Sequence, residues 1–143
     1  MPYQYRGDIA HADVAFDAWA ETLEELFRDA ARATVQVMAE NLEGIRPTQT
    51  VEVKLSQENE EMLLFDFLNE LIFYKDAKRL LLIPAELTIS RSDSGLELRG
   101  TLQGEEIDPA RHEMSTDVKA VTMLRYAVKE TSDGWHATVV LDV

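Results

Sequence analysis

The sequence predicts an α+β fold, in which two helices pack on a multi-stranded sheet that is largely antiparallel or mixed. Two segments before residue 79 have apolar residues at helical spacing, and almost everything after it alternates between apolar and polar residues. Helices followed by a run of strands are typical of this class. Because 143 residues, 45% of them hydrophobic, are enough for one core, we expect a single domain over residues 1–143.

The first predicted helix begins at a capping box and runs from about Thr22 to Ala39. Thr22 is followed three residues later by Glu25, the spacing at which each side chain can cap the other residue's backbone N–H. Gly44 and Pro47 mark its end. Its apolar stripe comprises Leu23, Leu26, Phe27, Ala30, Ala31, Thr34, Val37 and Met38.

The second predicted helix lies in the segment NEEMLLFDFLNELIFYKD. Leu64, Phe67, Leu68 and Leu71 share one helical face there. Between the helices, TVEVKL alternates and predicts a strand, and near the start DVAFDAWA is a further strand candidate with Asp13 at its beginning.

The chain after Arg79 reads as four strands separated by turns. The segments are RLLLIPAELTIS, GLELRGTLQG, DVKAVTMLRYAVKE and WHATVVLDV, with Gly95 and Gly100 as turn or bulge candidates. The last two should form a hairpin around Ser132-Asp133-Gly134. Alternation on the final strand sets two faces, one with Trp135, Ala137, Val139, Leu141 and Val143 and the other with His136, Thr138, Val140 and Asp142.

Composition excludes several classes of function. The chain has 14 Lys and Arg against 27 Asp and Glu, a net charge of −13 that repels phosphate backbones, so we expect no direct binding of nucleic acid. The absence of cysteine excludes disulfides, thiolate zinc sites and a cysteine nucleophile. The first residues lack the apolar core of a signal peptide, and LLLI at 80–83 is too short to span a bilayer, so we expect no membrane association and a cytoplasmic location.

Common catalytic signatures are absent from the sequence. It contains no P-loop, no dinucleotide-binding glycine pattern, no G-x-S-x-G elbow and no HExxH motif, and its three histidines, His11, His112 and His136, are scattered. What remains is a set of short polar clusters in IAHADVAF, in GEEIDPARHEMSTDVKAVT and in the final LDV.

Taken in order, these segments resemble the archease family. The resemblance includes IAHADVAF, TLEELFRDAA, TVEV, LLFDFLNELIFYKD, GEEIDPARHEMSTDVKAVTM and the terminal LDV, and therefore covers nearly the whole chain. Archeases are accessory proteins of the RtcB-type RNA ligase, which joins RNA ends in tRNA splicing and RNA repair. The resemblance implies a non-enzymatic protein that promotes guanylylation of that ligase and its multiple turnover, with tRNA reached only through the ligase.

The same resemblance implies a divalent metal site. Archeases bind a metal, seen as calcium in structures, through an aspartate of the early element and an Asp-x C-terminus. The matching residues are Asp13, Asp142 and Val143, the last through backbone oxygen, including a free α-carboxylate. Such hard oxygen donors suit calcium, magnesium or manganese. Because the negative groups repel one another, a bound cation would also stabilise the fold.

Three further residues are candidates of a second tier. The resemblance puts Lys119 beside the site, where its ammonium could engage a phosphate or the acidic cluster. His112, by default an exposed loop histidine, could donate to phosphate or orient a site carboxylate. His11 is displaced by one position from the family's usual His-Thr-Ala-Asp, which on an extended strand turns its ring to the opposite face.

Simpler interpretations remain open for these residues. Asp13 could be a strand-edge aspartate, Asp142 a solvated residue of an edge strand, and Lys119 a strand-surface lysine. Two alternative functions also remain open. The cluster could be a stand-alone metal-dependent phosphoester hydrolase that uses metal-activated water, or the chain could be a chaperone-like protein with a structural metal.

Overall fold

The order of helices and strands follows the sequence prediction closely. The computed structural model describes residues 2–6 and 13–143. The strands are β1 (Tyr3–Arg6), β2 (Val14–Ala20), β3 (Gln49–Gln57), β4 (Leu80–Ser92), β5 (Gly95–Glu106), β6 (Ala120–Thr131) and β7 (Gly134–Asp142). The helices are α1 (Leu23–Met38) and α2 (Glu60–Lys78), with a 3-10 turn at Leu42–Gly44.

The strands form two antiparallel sheets. The first has four strands in the order β1-β2-β7-β6, and the second has three in the order β3-β5-β4. Each described pair of strands is antiparallel. The α+β class with antiparallel pairing is therefore confirmed, and β6 and β7 form the predicted hairpin. The division into two sheets and the short strand β1 were not indicated by the sequence pattern.

Both helices begin at the caps that the sequence contains. Thr22 Oγ1 accepts from the backbone N–H of Glu25 over 3.2 Å, and Asn59 Oδ1 accepts from that of Met62 over 2.9 Å. Two acidic residues lie in the first turn of each helix, where the helix dipole favours negative charge. α2 ends at Lys78 and is followed by the capping residue Arg79, which takes a left-handed conformation (φ 55°).

The core lies where the two helices pack against both sheets. α1 contacts β2 and β7 of the four-stranded sheet and β4 of the other, and α2 contacts β6 together with β3, β4 and β5. Phe27 of α1 and Phe67 of α2 are fully buried, and their rings stack with centroids 5.8 Å apart. This contact on two sides explains why the buried stripe of α1 is broad.

The two glycines proposed as turns or bulges have different roles. Gly95 lies at the β4–β5 turn with φ of 135°, a conformation that glycine adopts without strain. Gly100 lies within β5, paired with Val53 and Leu87, and the bulge itself is in the neighbouring strand, between Pro84 and Glu86.

Among residues 2–6 and 13–143, no helix is both long and apolar enough to cross a membrane.

Candidate functional site

The candidate site lies at one end of the four-stranded sheet, where β2, β7 and β6 run side by side. Leu141 of β7 pairs with Val14 on one side and with Val121 on the other. Asp142 pairs with Ala120 at the start of β6. The last residues of β7 are therefore flanked by the first residues of two other strands.

The register brings the two predicted aspartates towards each other. Asp13 immediately precedes β2, whose first pair joins Val14 to Leu141. If the same pairing continues for one more residue, Asp13 lies opposite Asp142. Directly opposed residues of antiparallel strands point to the same face, with Cβ atoms about 5 Å apart. Both aspartates are partly exposed, so solvent reaches them.

The two faces of β7 agree with the alternation predicted from the sequence. Ala137, Val139 and Leu141 belong to the core, and Val143 packs against it, so we call this side the core face. Asp142 has the opposite parity, with His136 and Thr138, on the outer face. Because the side chain of Val143 is turned towards the core, an oxygen ligand from this residue would have to come from its backbone.

Lys119 is bonded directly to the strand that carries Asp142. Its backbone N–H donates to the carbonyl oxygen of Asp142 over 2.8 Å. The residue is exposed and lies just before β6, so it is not within the strand as the sequence pattern indicated. The proximity of Lys119 to Asp142 that the family resemblance implied is therefore present in the backbone.

The segment before Lys119 is held against the end of α1. The backbone N–H groups of Ser115 and Thr116 donate to the carbonyl oxygens of Met38 and Val37, over 2.8 and 3.1 Å. These bonds satisfy carbonyl groups of the last helical turn, which have no partner within the helix. They also fix the route by which the chain reaches the site.

A cleft of about 390 Å³ opens next to the start of β2. Its walls come from β1, β2, the second half of α1 and the segment before Lys119, and are formed by Tyr5, Val14, Gln36, Val37, Glu40, Ser115 and Thr116. The hydroxyl of Tyr5 donates to the carbonyl oxygen of Ala33 over 2.8 Å, and burial raises the pKa of this phenol well above its usual value. The Tyr5 side chain is therefore uncharged and held in place at the wall of the cleft.

His112 lies elsewhere and is buried, so the expectation of an exposed loop histidine is wrong. Its side chain is 1% exposed, and its Nδ1 accepts from the backbone N–H of Asp108 over 2.9 Å. Its Nε2 lies 3.2 Å from Arg111 Nη2 and 3.6 Å from Glu105 Oε2. Burial, reinforced by the neighbouring Arg111, lowers the pKa of His112.

Glu105, the carboxylate next to His112, already has other partners. It pairs with the Arg111 guanidinium and accepts from the backbone N–H of Arg46. Arg111 in turn donates to the carbonyl oxygen of Gly44 over 2.7 Å. These bonds join the end of β5 to two loops. Burial of His112 within this network could not be read from DPARHEMS, because Gly44 and Arg46, which bind Arg111 and Glu105, are distant in sequence.

A second polar group on the outer face was missed by the sequence analysis. Asp17 Oδ2 pairs with Arg6 Nη1 at 2.9 Å, and Asp17 Oδ1 accepts from the hydroxyl of Thr138 over 2.7 Å. His136 Nε2 is 3.6 Å from the same Oδ1. Alternation within DVAFDAWA, which gives Asp13 and Asp17 the same parity, was the signal that could have shown it.

His11 lies outside the described residues. In the part of the chain that is described, no three or more His, Cys, Asp or Glu side chains converge in a way that could hold a metal ion. Asp13 and Asp142 are only two such side chains, so any metal here would need further oxygen ligands from the backbone or from water.

Nearly the whole chain matches one protein-family model. That model, the Archease protein family, matches residues 3–143. The chain belongs to the Archease protein family. A relative named Protein archease from Methanopyrus kandleri is 33% identical over 144 residues, with 100% of each chain covered. Another from Methanothermobacter thermautotrophicus is 35% identical over 132 residues, covering 92% of this chain and 93% of the relative. The resemblance seen in the motifs is confirmed.

Solved archease structures have the same fold. The solution structure of Methanobacterium thermoautotrophicum protein 1598 has a TM-score of 0.84 at 33% identity, with 99% of both chains covered. A crystal structure of an archease from Thermotoga maritima, described as a possible chaperone, has a TM-score of 0.63 at 24% identity, with 98% of both covered. At that identity the second likeness supports the fold alone.

Proposed function

We propose that this archease is a non-enzymatic accessory protein that activates an RtcB-type RNA ligase in tRNA splicing and RNA repair. It promotes guanylylation of the ligase and its multiple turnover, and it acts in the cytoplasm. One observation carries the proposal: the β2–β7 register leads from Asp13 to Asp142, and Lys119 is hydrogen bonded to the same residue of β7. Three of the residues that the family resemblance singled out, Asp13, Asp142 and Lys119, thus lie at one end of one sheet.

We further propose that a divalent metal belongs to this site. The donors fit a hard cation, because Asp13 and Asp142 offer carboxylate oxygens and Val143 offers backbone oxygen. Calcium tolerates irregular oxygen coordination, so it suits such a site better than magnesium, which requires octahedral geometry, and manganese is also compatible with oxygen ligands. When bound, the metal supplies positive charge that offsets the repulsion of the carboxylates.

The chain's own residues contribute position and charge. Lys119 is exposed and its backbone N–H is bonded to Asp142, and its ammonium is suited to a phosphate group of the ligase's nucleotide or RNA substrate. The net charge of −13 favours docking on a basic surface of the kind that holds RNA. RNA itself is reached through the ligase, since the acidic field of this chain opposes direct contact.

A chaperone-like role with a structural metal is the second candidate. Large apolar side chains at the surface favour it, because unpaired apolar surface is what such proteins offer to clients. Phe73, Met123 and Leu124 are each at least half exposed. The alternative of a stand-alone phosphoester hydrolase has less support, since the described surroundings of Asp13 and Asp142 contain no evident general base or nucleophile for the reaction.

Multiple-turnover ligation tests the proposal. The ligase from the same organism is given RNA with a 2′,3′-cyclic phosphate and GTP, with and without this protein, while guanylylation of the ligase is followed separately. Stimulation of both is expected, and Asp13→Ala, Asp142→Ala and Lys119→Ala should remove it. Asp93→Ala, in the exposed β4–β5 turn, is the matched control and should stimulate like the wild type.

Three outcomes separate the candidates. Full stimulation by the alanine variants would contradict the site assignment. Phosphoester hydrolysis by the purified protein alone would favour the hydrolase. Protection of unfolding clients from aggregation, without any effect on ligation, would favour the chaperone-like role.

A further inference from the structure

Lys75 is a buried cation within α2. The residue is 5% exposed, and its Nζ contacts Asp117 Oδ1 at 2.5 Å, the carbonyl oxygen of Val118 at 2.6 Å and Asp76 Oδ1 at 2.7 Å. An ammonium has three N–H donors, and here each has an oxygen acceptor. Lysine is rarely buried unless it is paired in this way. Asp76 is its neighbour in the helix, so the other two contacts define what Lys75 holds in place.

Those two contacts go to the residues that immediately precede Lys119. Asp117 is a surface residue, with 70% of its side chain exposed, whereas Val118 is fully buried in the core. Lys75 therefore binds the segment from inside, through both a charge and a main-chain carbonyl. The carbonyl contact matters most, because it fixes the peptide that joins Val118 to Lys119.

α2 holds the same segment again on the other side of Lys119. Asn69 Oδ1 accepts from the backbone N–H of Val121 over 3.3 Å. Six residues of helix rise by about 9 Å, and three residues of extended chain cover about 10 Å. The spacing from Lys75 to Asn69 along α2 thus matches that from Val118 to Val121, and the helix supports the segment on both sides of Lys119.

The contacts of Lys75 lead to the candidate site in two steps. Val118 is covalently joined to Lys119, and the N–H of Lys119 donates to the carbonyl oxygen of Asp142 over 2.8 Å. We propose that Lys75 is a positioning residue, which fixes residues 117–119 and thereby sets both Lys119 and the end of β7 that carries Asp142. This inference rests on the proposed function, because it assigns Lys75 to the same site.

Lys75→Met isolates the role of the ammonium. Methionine keeps a long, flexible apolar stem but donates no hydrogen bond, so Val118 loses a partner while the core stays filled. The segment remains bonded to α1 through Ser115 and Thr116 and to α2 through Asn69, so the fold is expected to persist. Lys78→Met, at an exposed position of the same helix, is the matched control.

The test combines local amide exchange with metal binding and ligation. In Lys75→Met, the Lys119 amide should exchange with deuterium roughly tenfold faster than in the wild type, while core amides of β7 such as Val139 keep their relative protection. The calcium dissociation constant should rise roughly tenfold, as is typical when a supporting partner of a ligand is lost. Stimulation of ligation should fall with it, and Lys78→Met should match the wild type in all three.

Unchanged exchange at Lys119 together with unchanged calcium affinity in Lys75→Met would overturn the inference, even if the melting temperature fell. A merely structural lysine would lower the melting temperature alone. If Lys75→Met does not fold, Asp117→Asn replaces it, because it weakens the same contact from an exposed position and should also accelerate exchange at Lys119. A wild type that neither binds calcium nor stimulates ligation would overturn the proposed function, and the exchange measurement would still decide the role of Lys75.

Discussion

Replacing Asp142 by asparagine should have opposite effects on stability without and with metal. The β2–β7 register leads from Asp13 to Asp142, and opposed residues have Cβ atoms about 5 Å apart. Two unit charges at that distance repel by about 1 kcal/mol in a water-like medium, the appropriate limit for partly exposed groups. Without metal, Asp142→Asn removes this repulsion and should stabilise the protein by about 1 kcal/mol, which raises the melting temperature by about 2 to 5 °C.

With calcium the order should reverse. A ligand at a hundredfold excess over its dissociation constant stabilises the folded state by about 2.7 kcal/mol, and Asp142→Asn forfeits that gain because it removes a ligand. Calorimetric melts in EDTA and in calcium measure both effects on one sample. Asp93→Asn is the control, since it removes one negative charge from an exposed turn between β4 and β5 and should leave the calcium-induced shift intact.

The reasoning would be refuted by a calcium-induced shift in Asp142→Asn equal to that of the wild type. A fall in melting temperature in EDTA would separately contradict the opposed arrangement, because it would mean that the Asp142 carboxylate stabilises the metal-free protein. Asp13→Asn should behave in the same way as Asp142→Asn, and a difference between the two would show that the carboxylates are not equivalent.

Two further predictions concern parts of the fold away from the candidate site. Burial lowers the pKa of His112 from its unfolded value of 6.5, so the unfolded chain binds the proton more readily than the folded protein. The free energy of unfolding should therefore fall as the pH drops below about 6.5. In urea titrations at pH 7 and pH 5, His112→Gln should make that fall smaller. A slope unchanged in the variant would assign the acid sensitivity to other groups. Gly104→Ala should destabilise the protein by about 3 kcal/mol or more, because an added Cβ would overlap the backbone of Leu81 in β4. A chemical denaturation midpoint close to that of the wild type would contradict this prediction.

The helices were predictable because their signals are local. Thr22 and Glu25 lie three residues apart, and Asn59 precedes Met62 by the same interval, so each cap can be read within one turn of sequence. The alternation of β7 likewise fixes which side chains share a face, whatever the strand pairs with. These features depend on contacts between residues that are close in sequence, and such contacts can be recognised in a single sequence.

The residues of the candidate site were predicted from a family resemblance, but the way in which the strands bring them together was not. Asp13 and Asp142 are 129 positions apart, and nothing local to either shows that β2 lies beside β7. Burial of His112 depends in the same way on the distant backbone of Gly44 and Arg46, which bind its neighbours Arg111 and Glu105. Pairings of this kind are set by the whole core at once, because many alternative registers satisfy a short alternating segment equally well.

The sequence by itself determined the α+β class, the two helices with the N-terminal cap of the first, the final hairpin, the faces of β7 and, through its motifs, the family. Only the tertiary structure decided that the strands divide between two sheets with the helices in contact with both, that β2 and β6 flank the end of β7, and that the ammonium of Lys75 is buried beneath the segment leading to Lys119. The physical reason is the range of the interactions. Caps and alternation act within a few residues, whereas sheet order and buried ion pairs join residues that are brought together only when the whole core forms.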